Sequence, residues 1–411
     1  MLRPALVVLH RWFGLVAAVF LFVAGATGAV ISWDHELDAW LNPQLYRARA
    51  QAPPLPALEL ARRIEASDPR VRISYMPLAV EPGETFVAFV EPRVDPRTGR
   101  LFEPGYNQVA VDPATGAVQG RRFWGEASLS RENLLPFLYR LHYSMQLPMA
   151  GGVDVGVLFM GVLAIAWVID TLVALWISFP SRKAWRQSFA FRWRAGGHRL
   201  TFDLHRSGGV WLFLLVLLVA VTSVGMNLDR EVMRPVVSLF STLSPSPLET
   251  RPPAPPERPI EPRLSIDQVL ERARREAQRL GLQSPAGGVS VSTQFGLYGV
   301  GFFEAGNSHG DGGLGNAWLY FDSQTGAPAG GSVPGTGSAG DVFMQAMFPL
   351  HSGRILGMPG RVLMSLLGAA IAALSVTGVL VWARKRRARL AASQRQPGAG
   401  ASREAGRTVP A

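Results

Sequence analysis

Four histidines stand beside four hydrophobic stretches, and their surroundings repeat. His10 lies in HRWFG and His205 in HRSGG, so both read His-Arg-x-x-Gly at the mouth of an apolar segment. His142 lies in LYRLHYSMQLPMAGG and His351 in MFPLHSGRILGMPGR, each a Leu-His shortly before the next apolar segment. Ionisable side chains at membrane depth are costly enough to mark function. A spanning segment of ~20 residues rises roughly 30 Å, so His10 and His142 cannot share a metal. The pairings that remain are His10 with His205 and His142 with His351.

One neutral imidazole from each side is the axial ligand set of a b-type haem, which needs no cysteine. Gly14 and Gly209 follow the first and third histidines by one helical turn on the same face, removing a side chain where a flat macrocycle would lie. Arg11 and Arg206 stand next to those histidines, placed to meet anionic propionates, and Arg140 and Arg354 could do so beside the other two. Contact with lipid headgroups serves these arginines equally well. Other ligands stay open: His198, seven residues before His205, and His35 in WDHELD. Met145, Met149, Met344, Met347 and Met358 flank His142 and His351, so a His/Met haem or a copper site stands against a packing role. His309 is expected to be solvent exposed.

The chain has 411 residues, 48% hydrophobic and 17% charged, with a mean hydropathy of +0.16. That is too apolar for an ordinary soluble protein and too polar for a bare helix bundle. Zero cysteines exclude disulfides, thiolate metal sites, iron-sulfur clusters and covalent haem attachment. The net charge of +11 comes from basic residues gathered beside apolar segments, so no nucleic-acid partner is expected. Four stretches are long enough to span a bilayer: 11–33, 153–179, 205–228 and 357–383, with Asp170 as the main charge among them. Lys and Arg cluster after the second span (Arg182 to Arg199) and after the fourth (Arg384 to Arg387). The positive-inside rule puts the basic loop 180–204, the basic tail 384–411 and both termini in the cytoplasm. The segments 34–150 and 229–355 then lie outside, which in a bacterial cell means the periplasm or the outer surface. AGATGA would allow a signal peptide in place of the first span, but cleavage would discard His10.

The outer segments repeat as well. QVAVDPATGAV (108–118) matches WLYFDSQTGAP (318–328), an alternating strand followed by Asp-x-x-Thr-Gly. Upstream lie helical patterns at Pro56 to Ser67 and Ser265 to Leu280, the second with a Ser cap. Strand-like runs stand between them: ISYMPLAV and TFVAFVEP in one copy, VSVSTQ and LYGVGFF in the other. Each outer segment reads as a small α+β domain, and the unit of span, domain, Leu-His and span occurs twice in parallel. The Pro-rich stretch 244–263 reads as an extended linker, GNSHGDGGLGN (306–316) as a flexible loop, and 388–411 as disordered.

With these features the chain resembles the PepSY-associated transmembrane helix proteins, which include bacterial iron-regulated membrane proteins and ferrisiderophore reductases. The resemblance reaches to about residue 387. It rests on HRWFGLVAAVFLFVAGATGAVISW, LHYSMQLP, DLHRSGGVW, PLHSGRILGMPGRVLMSLLGAAIAALSVTGVLVW and the two segments ending in DPATG and DSQTG. It implies a four-helix transmembrane bundle with two PepSY-like extracytoplasmic domains. It further implies two b-type haems ligated by His10, His142, His205 and His351, carrying electrons across the bacterial inner membrane to a periplasmic ferric siderophore. No flavin or nicotinamide motif is present, so a membrane quinol or a cytoplasmic reductase is the expected donor. Two rival expectations remain, a non-redox membrane protein whose outer domains bind a partner, and a haem carrier serving another oxidoreductase.

Overall fold

Long apolar runs without interior breaks close their backbone hydrogen bonds within helices, whereas the alternating runs pair as strands. The computed structural model describes residues 2–394. In chain order it holds α1 (Leu2–Ile31), α2 (Ala57–Ser67), β1 (Val71–Pro77), β2 (Phe86–Pro92), β3 (Gln108–Val111), β4 (Val118–Arg122), α3 (Leu134–Ser144) and α4 (Val155–Ser178). There follow α5 (Gly197–Asn227), α6 (Ile266–Arg279), β5 (Ala286–Ser292), β6 (Leu297–Phe302), β7 (Ala317–Asp322), β8 (Pro328–Ser332), α7 (Met347–Ser352) and α8 (Met358–Gln394). Among the described residues, α1, α4, α5 and α8 are the four helices long and apolar enough to cross a membrane. Their bounds differ from the hydrophobic stretches. α1 starts at Leu2 and α5 at Gly197, so His10 and His205 sit about two turns inside their helices rather than at the mouths. α8 stays helical to Gln394, so the expected disorder does not begin at 388, and the rest of that tail lies outside the described residues.

The chain divides into two compact units. The first takes the residues up to Ala26, Ala166–Leu217 and those from Ala369 on. Its basic segment is held to the helices by directed bonds. Arg192 grips the buried carboxylate of Asp203 through Nε and Nη2, both at 2.7 Å. Ser207 Oγ donates to the Ala190 carbonyl at 2.8 Å, and Trp211 Nε1 to that of Phe189 at 3.0 Å.

The second unit takes Thr27–Ile165 and Leu218–Gly368. Its strands form one antiparallel sheet in the order β8-β7-β6-β5-β1-β2-β3-β4, which corrects the expectation of two separate small domains. The halves join where β1 pairs with β5, Tyr75 opposite Ser290 and Met76 opposite Val289. A free inner edge on each half would leave a row of unpaired backbone groups, and the joint pairing removes both edges. The core is shared too: Leu60, Ile64, Phe86 and Val109 continue into Val269, Leu270, Val300 and Phe321. α6 begins at the expected cap, Ser265, whose side chain accepts from Gln268 N while Gln268 caps in return. The stretch 244–263 lies along the sheet, with Arg72 bidentate on Glu261 at 2.6 and 2.7 Å and Ile260 N donating to the Thr293 carbonyl at 2.9 Å. The glycine-rich loop is tied down as well, by Asp311 on Arg354 at 2.5 Å and Gly312 N on the Arg354 carbonyl at 2.8 Å.

The repeated Asp-x-x-Thr-Gly turns have one construction. Asp112 and Asp322 each accept from the backbone two and three residues on, and Gly116 and Gly326 take φ of 73° and 74°. Glycine bears that left-handed backbone without strain. Burial would raise the Asp322 pKa, but hydrogen bonds from Arg251, Thr325 and Gln324 hold it at about 2. A carboxylate depressed by that much contributes about 2 kcal/mol. The contribution is complete above the unfolded value near 4 and lost as pH falls toward 2. Asp322→Ala is therefore expected to lower the denaturant midpoint of the antiparallel sheet at neutral pH, followed by tryptophan fluorescence, with variant and parent converging below about pH 2.

Candidate functional site

In the first unit, α1 and α5 bring His10 and His205 together with ring centroids 6.2 Å apart and planes inclined at 36°. His10 Nδ1 lies 2.9 and 3.0 Å from the two carboxylate oxygens of Asp170 on α4. His205 Nδ1 lies 3.0 Å from the Leu374 carbonyl oxygen on α8. A carbonyl only accepts, so the proton is on Nδ1 of His205 and its Nε2 carries the lone pair. Gly378 makes the room, because a methyl there would stand 2.9 Å from His205 Cε1.

The second unit brings His142 and His351 together with centroids 6.1 Å apart and planes at 62°. Nδ1 of His142 faces Thr27 Oγ1 at 3.2 Å, and Nδ1 of His351 faces Thr222 Oγ1 at 3.1 Å. The Thr222 hydroxyl spends its own proton on the Leu218 carbonyl, 2.9 Å away, and so accepts from His351. Gly28 plays the part of Gly378 here, with a methyl at that position standing 2.9 Å from His142 Cε1. α3 and α7 both end just after their histidine, at the left-handed residues Met145 and Gly353. Two residues past each histidine, the carbonyls of Ser144 and Gly353 rest on Gly156 and Gly360, where any β-carbon would collide. Burial, and then the neighbouring His142 ring, hold the His351 pKa well below its ordinary value, which favours the neutral ring.

The remaining predicted residues fall into clear groups. At Gly14 and Gly209 a methyl would meet no atom within 4 Å, so open space borders both positions. Nε of Arg11 and Nε of Arg206 are buried and, among the described residues, lack a hydrogen-bond partner. Arg206 also approaches Asp203 at 3.6 Å. Arg140 donates to the Gly125 carbonyl at 3.3 Å, while Arg354 is taken by Asp311. The alternative ligands do not join the pairs: His198 is exposed at the start of α5, His309 is exposed in its loop, and His35 pairs with Glu84 at 3.4 Å. That bond to Glu84, more than burial opposes it, raises the His35 pKa. Met347 is buried against Gly225, a packing position, and Met149 and Met358 are exposed.

Sequence reasoning singled out the histidines but not what orients them. Asp170 stood out only as a charge in a span. Thr27 and Thr222 follow His10 and His205 by the same seventeen residues, a repeat signal that was available. Leu374 could leave no trace, since it acts through its backbone.

A metal–imidazole bond is about 2 Å long, so two imidazoles flanking one ion have centroids about 6 Å apart. Both pairs have that separation. Among the described residues no group of three or more His, Cys, Asp or Glu could hold an ion alone. Two facing imidazoles suit an iron whose other four positions are filled by a flat macrocycle.

Four apolar helices and a large antiparallel sheet define a multi-span membrane protein. The chain belongs to the family of the PepSY-associated TM region, whose model matches residues 7–385. No curated protein matches it.

The glycines give a contrast to measure in thermal unfolding. Gly28→Val and Gly378→Val must displace a histidine ring and are expected to cost about 1–3 kcal/mol. Gly14→Ala and Gly209→Ala meet only open space and, lying in helices, are expected to be neutral or to gain up to about 1 kcal/mol in protein free of any ligand.

Proposed function

We propose that this protein is a di-haem b electron carrier of the bacterial inner membrane that reduces ferric iron in a periplasmic siderophore complex. The observation that carries the reading is the pair of histidine couples, each with the ring separation that one iron between two imidazoles requires. His10 and His205 would hold one haem, and His142 and His351 the other. Bound there, haem supplies reversible one-electron storage.

The chain's own residues fit such a group. Gly14 and Gly209 border open space one turn beyond the first pair. The buried, unpartnered Nε of Arg11 and of Arg206 offers donors to propionates. Asp170, the Leu374 carbonyl, Thr27 and Thr222 fix the rings through Nδ1. The twofold order of span, helix, four strands and histidine helix supports an internal duplication with two PepSY-like halves fused into one sheet. The basic residues after α4 and at the end of α8 support cytoplasmic termini and the His10–His205 pair on the inner side.

The electron balance is simple. A cytoplasmic reductase gives one electron on the inner side for each Fe(III) that becomes Fe(II) outside, whereas a membrane quinol gives two electrons for two Fe(III) and releases its two protons to water as it becomes quinone. No bond to the protein forms and no side chain need act as acid or base. Fe(II) is held less tightly by hard oxygen ligands, which loosens the chelate.

The test uses purified protein reduced without oxygen and then mixed with ferric hydroxamate chelates, with Fe(II) trapped by a ferrous-specific dye. One Fe(II) per electron stored is expected, with His351→Ala at least tenfold slower. Reduced protein that ignores every ferric chelate would contradict the reductase reading and favour a carrier for another oxidoreductase. Gly14→Leu and Gly209→Leu are expected to fold yet retain about half the haem, by pyridine haemochrome assay.

A further inference from the structure

We propose that Asp170 is a positioning residue that makes the His10–His205 site the lower-potential of the two and so gives electron flow its outward direction. The inference rests on the two-haem reading above. Its basis is an asymmetry among the four Nδ1 partners. Three are neutral, namely the Leu374 carbonyl, the Thr27 hydroxyl and the Thr222 hydroxyl. The fourth is a carboxylate, with both oxygens within 3.0 Å of one nitrogen.

Asp170 is 8% exposed and lies in an apolar helix, a position where a charge is kept only with a partner and for a use. The repeat sharpens the point. Asp170 stands six residues before Trp176 in α4, and the residue six before Trp382 in α8 is Val376. The neighbouring threonines Thr171 and Thr377 match in the same register. One copy therefore carries the carboxylate and the other does not.

An anionic acceptor on Nδ1–H draws that proton and pushes electron density toward Nε2, making the imidazole a stronger donor. A stronger axial donor favours Fe(III) over Fe(II) and lowers the potential. A threonine hydroxyl has a smaller effect, and the Thr222 oxygen already lies in a hydrogen bond to Leu218. With the inner site lower and the outer site higher, one electron lost at the first is gained at the second, downhill, with no proton or bond exchanged.

The experiment is a spectroelectrochemical titration of the purified full chain and three variants. His351→Ala keeps the inner haem alone and His205→Ala the outer, which assigns the two midpoints. The inner midpoint is expected to be the lower. Asp170→Asn keeps the size and a hydrogen-bonding amide but removes the charge, and is expected to raise the lower midpoint while leaving the higher in place. An inner midpoint above the outer would overturn the inference even if Asp170→Asn fails to accumulate. So would an Asp170→Asn protein with both haems and unmoved midpoints, which would make the contact structural only. Wild-type protein that binds no haem would instead sink the functional reading itself.

Discussion

Two imidazoles can face each other about 6 Å apart between apolar helices only when each ring has a hydrogen-bond partner at Nδ1 and one ring of each pair has a gap in the neighbouring helix to lie in. Both conditions are met four times and two times over in this chain. Asp170, the Leu374 carbonyl, Thr27 and Thr222 are the partners, and Gly28 and Gly378 supply the gaps. A ring without its acceptor would bury an unsatisfied donor at a cost of about 1–3 kcal/mol. The rest of each helix follows from that demand. His142 and His351 sit on short helices that stop at once in left-handed residues, which lets the chain turn tightly into α4 and α8. The carbonyls of Ser144 and Gly353 then close on Gly156 and Gly360, locking each histidine helix to the span that follows it.

The antiparallel sheet positions two of those histidines as well. α3 leaves the sheet after β4, and α7 leaves it after β8, the two opposite edges. A buried ion pair of Asp38 with Arg122 at 2.7 Å fastens the segment after α1 to β4. Arg361 at the start of α8 reaches the Ser32 carbonyl and Glu36, and its guanidinium lies 4.7 Å from the Trp33 ring. Such contacts cost desolvation, and their gain is in fixing one arrangement of elements rather than in stability. One fused sheet serves this end better than two separate domains, because its shared core does not let the halves turn independently.

Much of this was legible because it is local. The spans follow from apolar length, α6 from its period and the Ser265 cap, and the hairpins from Asp-x-x-Thr-Gly, in which Asp112 and Asp322 do identical work. The histidine pairs were legible because similar local sequences surround them, His-Arg-x-x-Gly at His10 and His205 and Leu-His at His142 and His351. What stayed hidden acts through space. Tyr75 pairs with Ser290 across more than two hundred residues, and nothing near either announces it. Asp170 meets His10 from another helix, and Leu374 offers only a backbone oxygen. The helices start earlier than the apolar runs for a simpler reason: Arg3 and Arg192 lie outside those runs, yet they bond to the Ile177 carbonyl and to Asp203 and extend the order past them.

The central claim is that each histidine pair takes one iron between its rings. The direct measurement is the visible spectrum of the purified chain, oxidised and reduced, together with its haem-to-protein ratio after expression with ample haem. The account predicts two haems per chain, both six-coordinate and low-spin. A colourless protein would contradict it, and so would a five-coordinate spectrum.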